Sequence, residues 1–197
     1  MKSLIKTSSL CLALSLFALP GLGKATFAQE AEVLLNGEVS ALMLDFEVPS
    51  NLEFAIDPNA TSVDQVFISP EFVVKNDSGA PLSVSVSAFE NKGGHVFTDV
   101  LPDQYADWTT LGVSESNQDL ALGLVVDPSH DNDWYPMSGA VTDTLYAKTV
   151  QDSAGPILIG GIKPNNEIKL ALTAHHGYSF NAPLTTQYRL TFIFELI

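Results

Sequence analysis

The chain has 197 residues, 46% of them hydrophobic, one cysteine, and 9 Lys+Arg against 23 Asp+Glu, a formal net charge of −14. The hydrophobic fraction is enough for a packed core and excludes an intrinsically disordered chain, and the length suits one domain. So acidic a balance excludes a nucleic-acid binder and disfavours anionic membrane surfaces, because both partners need clustered Lys and Arg.

Residues 1–28 read as a secretory signal peptide. Lys2 and Lys6 give a positive start, the apolar run 10–23 is broken late by Pro20 and Gly21, and Thr26 and Ala28 put small residues at −3 and −1 of a cleavage site after Ala28. The run is shorter than the ~20 residues a membrane span needs, so no transmembrane segment is expected after processing. Cys11 sits at the front of the apolar run, where a lipid-anchoring cysteine would follow it. Cleavage therefore removes the one cysteine, leaving residues 29–197 as a single domain without disulfide or thiolate and with six basic residues against 23 acidic.

Past the leader, the period of two prevails over that of 3.6. Asn36-Gly37, between 33–35 and 39–46, predicts a hairpin. Phe72-Val73-Val74 is followed by the turn Asn76-Asp77-Ser78-Gly79, then by Leu82, Val84, Val86 and Ala88 alternating with serines. Asn91-Lys92-Gly93-Gly94 is read as ending that strand, and 102–111 as the one short helical candidate. Leu120, Leu122, Leu124 and Val126 form the next apolar face, and Asp127-Pro128-Ser129 opens a long polar loop over 127–139. The run 157–162 contains Gly160-Gly161, which inside an apolar strand marks a bulge or a close backbone approach. Pro164-Asn165-Asn166 turns the chain into Leu170, Leu172 and Ala174, and Leu190, Phe192, Phe194 and Leu196 face one way along the strand over 188–197. Short strands divided by turn residues predict an all-β antiparallel β-sandwich, Ig-like or jelly-roll-like, with little helix.

The loop 127–139 holds the candidate sites. Asp127, Asp131, Asn132 and Asp133 supply clustered oxygen ligands of the kind calcium takes, without EF-hand spacing. Asp127, Asp131 and Asp133 are the candidate calcium ligands, and solvated turn-forming side chains are the alternative. Trp134 and Tyr135, adjoining these acids, are the candidate binding aromatics for a glycan or protein, and buried or rim aromatics are the alternative. His175 and His176 are adjacent on a strand and so point to opposite faces, which disfavours a shared metal. No nucleophile elbow, metalloprotease helix motif or phosphate loop occurs, so neither an enzyme nor a cofactor other than calcium is expected.

The stretch Val48-Pro49-Ser50-Asn51-Leu52-Glu53-Phe54-Ala55-Ile56-Asp57-Pro58, followed by Phe72-Val73-Val74-Lys75-Asn76-Asp77-Ser78-Gly79-Ala80-Pro81-Leu82, resembles exported surface β-sandwich proteins of Gram-positive bacteria. The segment Tyr188-Arg189-Leu190-Thr191-Phe192-Ile193-Phe194-Glu195 is similar to the final strand of many of them. The class includes camelysin/TasA-type matrix fibre subunits and WxL-type surface proteins. Trp108-Thr109-Thr110-Leu111 departs from it, with one residue too many for a Trp-x-Leu motif. The resemblance implies a non-enzymatic envelope or biofilm role. Chaperone-assembled pilins of Gram-negative bacteria, which would place the chain in the periplasm or a pilus, are similar in size and strand pattern.

These readings converge on a secreted or cell-surface structural protein. Its partners would be copies of itself or other surface proteins, with assembly into fibres by exchange of a terminal strand such as the one over 32–48. A carbohydrate- or protein-binding adhesin using the loop 127–139 is the alternative, and a hydrolase without a recognisable motif ranks third.

Overall fold

The computed structural model describes residues 44–49, 54–57, 67–126, 134–135 and 137–197. Twelve strands occur among them: β1 (Phe46–Glu47), β2 (Ala55–Ile56), β3 (Phe67–Ile68), β4 (Phe72–Asn76), β5 (Leu82–Gly94), β6 (Thr98–Asp99), β7 (Asp119–Val125), β8 (Trp134–Tyr135), β9 (Thr144–Tyr146), β10 (Ile157–Ile162), β11 (Asn166–His176) and β12 (Thr186–Leu196). Two short helices, α1 (Val113–Gln118) and α2 (Ala147–Asp152), accompany them. The predicted hairpin at Asn36-Gly37 and the candidate ligands Asp127, Asp131 and Asp133 lie outside the described residues, as does the leader.

The strands form an all-β sandwich. One sheet runs β1-β4-β11-β7-β6, with β9 also on β7, and the other runs β12-β5-β10-β8. Pairing is antiparallel throughout except for the short β6–β7 match. A small β2–β3 ribbon pairs with neither sheet, and its Ile56 and Phe67 pack against the core.

The period-two pattern is what brings the sheets together. Val84, Val86 and Phe89 of β5 and Ile159 and Ile162 of β10 share one buried cluster with Phe72 and Val74 of β4, Leu120, Leu122 and Leu124 of β7, and Ile168 and Leu170 of β11. Each such side chain contributes about 1.5–3 kcal/mol relative to leaving it in water. The β7 pattern predicts one buried face, but residues 119–124 are buried on both. On the second face the side chains of Thr144 and Tyr146, from the neighbouring strand β9, lie over Gly123.

Three local expectations are corrected. The 91–94 turn does not end its strand: β5 continues to Gly94 because β12 pairs along it, from Leu196↔Leu82 to Thr186↔Gly94, with shifts of register beside Tyr188 and Phe192. The helix candidate over 102–111 is two 3-10 turns, Pro102–Gln104 and Trp108–Thr110, the second capped by the Asp107 side chain, which accepts from Thr109 N. The helices form later instead, as α1 and α2, each six residues and too short to show a 3.6-residue period.

Asn76 and Gly160 tie the layers together. Asn76 is fully buried; its Nδ2 donates to the carbonyls of Ala80 (2.9 Å), Ile162 (3.1 Å) and Lys163 (3.0 Å), while its Oδ1 accepts from Ser78 N (2.9 Å). It thereby holds the 76–79 turn against the point where the chain passes from β10 in one sheet to β11 in the other. Ser78 extends the same knot to β1: its Oγ donates to Asp45 O (3.0 Å) and accepts from Asp45 N (2.9 Å). Gly160 sits at φ +144 beside a shift in the β10–β5 register, and a Cβ there would meet the Trp134 ring at 2.3 Å. Bulge and close approach, offered by the sequence as alternatives, coincide at this residue.

Candidate functional site

The two sheets end in edges of very different length. β1, β6 and β8 are two residues each and β9 is three, so they offer a neighbouring chain little backbone to pair with. β12 is eleven residues long and pairs with β5 on one side and with no other strand among the described residues. Its second row of amide and carbonyl groups is an open ladder along the whole outer side of a sheet-edge strand.

The side chains of β12 match that position. Tyr188, Leu190, Phe192 and Phe194 face the core and pack against it, yet each is only half-buried. Opposite them β1 covers one end, with Phe46 stacked on Phe194 at 4.1 Å, and Phe54 approaches Tyr188 at the other, at 6.4 Å. Leu196 and Ile197 remain 43% and 48% exposed, and Leu44 and Phe46 are exposed as well. On the outer face Arg189 reaches Glu90 of β5 at 2.5 Å, and Lys92 reaches the same carboxylate at 2.8 Å. The two cations hold Glu90 below the usual carboxylate range, Lys92 being the larger influence. Glu195, also outward and exposed, has no cation beside it among the described residues.

The paired aromatics beside the acidic loop have separated roles. Trp134 is 5% exposed and packs over Gly160, its Nε1 meeting no acceptor among the described residues, whereas Tyr135 is 41% exposed. Of the two, only Tyr135 is exposed. The histidines also divide as adjacent strand residues must: His175 is exposed near Trp108 and Tyr146, and His176 is buried with Nδ1 2.7 Å from Gly177 O. Burial pushes the His176 imidazole below its usual pKa. No three His, Cys, Asp or Glu side chains among the described residues converge on a metal position.

The buried polar groups that sequence reading missed are cross-braces. Asp99 of β6 accepts from Tyr188 Oη of β12 (2.8 Å) and from Gln151 Nε2 of α2 (2.7 Å), joining one sheet to the other. Burial raises the Asp99 carboxyl above its ordinary pKa, against the two hydrogen bonds and Lys148, which lower it. It also raises the Tyr188 phenol, with the Asp99 charge adding to the effect. Tyr105 donates to Asp119, and that bond pushes its phenol up to about 12. The partners in the Asp99 brace lie 52 and 89 positions away, beyond any local motif. An apolar cavity of about 540 Å³ lies between β2 and the chain over 180–186, with Phe54, Ile56, Phe97, Phe180 and Leu184 in its wall. No helix among the described residues is long and apolar enough to cross a membrane.

Comparison with known proteins found no matching family model, no matching curated protein and no matching solved structure.

Proposed function

We propose that this chain is a non-enzymatic structural protein of the cell surface or extracellular matrix that works by joining to copies of itself or to other surface proteins. The observation that carries this reading is β12: an eleven-residue strand, open along one side among the described residues, with a half-buried aromatic row and exposed Leu196 and Ile197 beside it. A long open edge with apolar side chains is the feature natural sheets shorten, charge or cover, because an added strand gains backbone hydrogen bonds there and pockets for alternate side chains. The other described edges are short. Assembly follows either by direct pairing of edges or by exchange of a strand from the segment 32–48. The leader read at residues 1–28, and the resemblance to exported matrix and surface proteins, support a location outside the cell.

Expression with the leader, followed by mass spectrometry and electron microscopy of the recovered protein, tests both parts. The expected outcome is an N-terminus at Gln29 and particles larger than one chain. An intact leader on a cytosolic protein contradicts the location, and strictly monomeric protein at every concentration, with no partner subunit bound, contradicts assembly.

Tyr135 favours the adhesin as a second reading, since it is the exposed aromatic next to the acidic loop. Binding on a glycan array that disappears with Tyr135→Ala would support it, and unchanged binding would remove it.

A further inference from the structure

We infer that β12 pairs with β12 of a second copy, antiparallel about a two-fold axis through Phe192, joining two four-stranded sheets into one of eight. The inference rests on the assembly reading and specifies its partner and register.

Side-chain parity limits the registers in which two copies of β12 can pair. Tyr188, Leu190, Phe192, Phe194 and Leu196 lie opposite the core-facing side of β5, and Gln187, Arg189, Thr191, Ile193 and Glu195 lie on the outer side. A two-fold axis through any one residue pairs inner side chains with inner and outer with outer, whereas an axis between residues would pair core-facing aromatics with solvent-facing groups. Whole-residue registers are therefore the ones compatible with both cores.

Charge selects among them. Arg189 and Glu195 are the two charged residues of β12, three positions to either side of Phe192 on the same outer face. Pairing about Phe192 sets Arg189 of each copy directly opposite Glu195 of the other, giving two ion pairs related by the axis. An axis through Thr191 instead sets Glu195 opposite Gln187, and one through Ile193 sets it opposite Thr191. Glu195 has no cation among the described residues, so the second copy supplies a partner that the single chain lacks. Arg189 touches Glu90 through Nη2, and the guanidinium carries further N–H donors, so it can bridge Glu90 of its own chain and Glu195 of the second copy.

The apolar side follows the same register. Phe192 meets Phe192, Leu190 meets Phe194, and Tyr188 meets Leu196, so the half-buried row and one of the exposed apolar side chains are covered together. Cross-strand neighbours of this kind stand ~4.5–5.5 Å apart. The overlap takes in nine residues of β12, from Tyr188 to Leu196, a ladder of roughly 30 Å at ~3.3 Å per residue.

Sedimentation equilibrium of the full chain and its charge variants tests the register. Arg189→Glu and Glu195→Arg, each alone, set like charges opposite one another and should weaken dimerisation at least tenfold. The double variant restores opposite charges and should recover to within about threefold of the parent. Disulfide trapping gives a second measurement in a Cys11→Ser chain: a mixture of Thr191→Cys and Ile193→Cys chains should cross-link, while either alone should not. In this register Thr191 faces Ile193 of the other copy, and like positions are diagonal, ~7–8 Å apart and beyond ordinary disulfide reach. A chain that never dimerises overturns both this inference and the assembly of the chain with copies of itself. Oligomers indifferent to the charge exchange, or cross-links that place the segment 32–48 along β12, overturn the inference and leave assembly standing.

Discussion

Asn76→Ala and Asn76→Asp probe whether the turn over 76–79 is held by its buried amide. In the native chain one side-chain NH2 serves three carbonyls at 2.9–3.1 Å, and the amide oxygen takes the Ser78 N–H. The Ile162 bond is buried, so removing its donor strands an acceptor away from water, and the freed Ser78 N–H adds to the loss. Each stranded buried group costs about 1–3 kcal/mol. With partial relaxation, alanine should cost about 2–4 kcal/mol overall, which lowers the melting temperature by roughly 5–15 °C for a domain of this size. Aspartate has the shape of asparagine but no donor, and at neutral pH it faces a carboxylate towards three carbonyl oxygens. It should be at least as damaging as alanine, and the difference should shrink as the pH falls and the carboxyl protonates. Urea unfolding at several pH values, with an unchanged denaturant slope, measures both. An aspartate variant as stable as the parent, or an alanine variant within about 0.5 kcal/mol of it, would show that the hydrogen bonds do not hold the turn.

Gly160→Ala should destabilise by about 3 kcal/mol, because it combines a positive-φ backbone with a Cβ at 2.3 Å from the Trp134 ring; a shift in tryptophan emission should accompany the loss, and an unperturbed spectrum would contradict the contact. Asp99 is raised by burial, so the folded state binds its proton more tightly than the unfolded chain. Its contribution to stability is present below the unfolded value and falls as pH rises through the folded one. Asp99→Asn should remove this component, and parallel stability–pH curves for the two proteins between pH 4 and 7 would refute the assignment. Phe46→Ala should cost about 1 kcal/mol through its stack on Phe194, read in the same urea assay, and no measurable change would place the stack among incidental surface contacts. If Asp127, Asp131 and Asp133 bind calcium, the melting temperature rises with added calcium and Asp131→Ala abolishes the rise; a flat calorimetric titration removes the site.

What the sequence makes legible is what local pattern controls. Alternation at Leu82, Val84 and Val86, at Leu120, Leu122 and Leu124, and at Leu190, Phe192 and Phe194 follows from the two-residue period of a strand, and all three runs are strands here, although β7 is buried on its second face as well. Turn chemistry places Pro164-Asn165-Asn166, where Asn165 adopts φ 54. Long-range partners leave no such mark. That β4 lies between β1 and β11, or that β12 is the open edge, depends on which apolar faces meet across the fold. Asn76 looks like any turn asparagine, although its carbonyl partners at Ile162 and Lys163 are 86 and 87 positions away. Trp134 reads as a loop aromatic because its surroundings are polar in sequence, while the surface it covers belongs to Gly160, on a strand 26 residues further along.

Hydrogen exchange along β12, measured at two protein concentrations, bears most directly on whether the open edge is where this protein meets its partner. The account predicts that the β12 amides directed away from β5 exchange freely in dilute protein and become protected on concentration, while exchange along β1 and β8 stays the same. Protection that is already complete at high dilution, or that appears on concentration anywhere except β12, would contradict it.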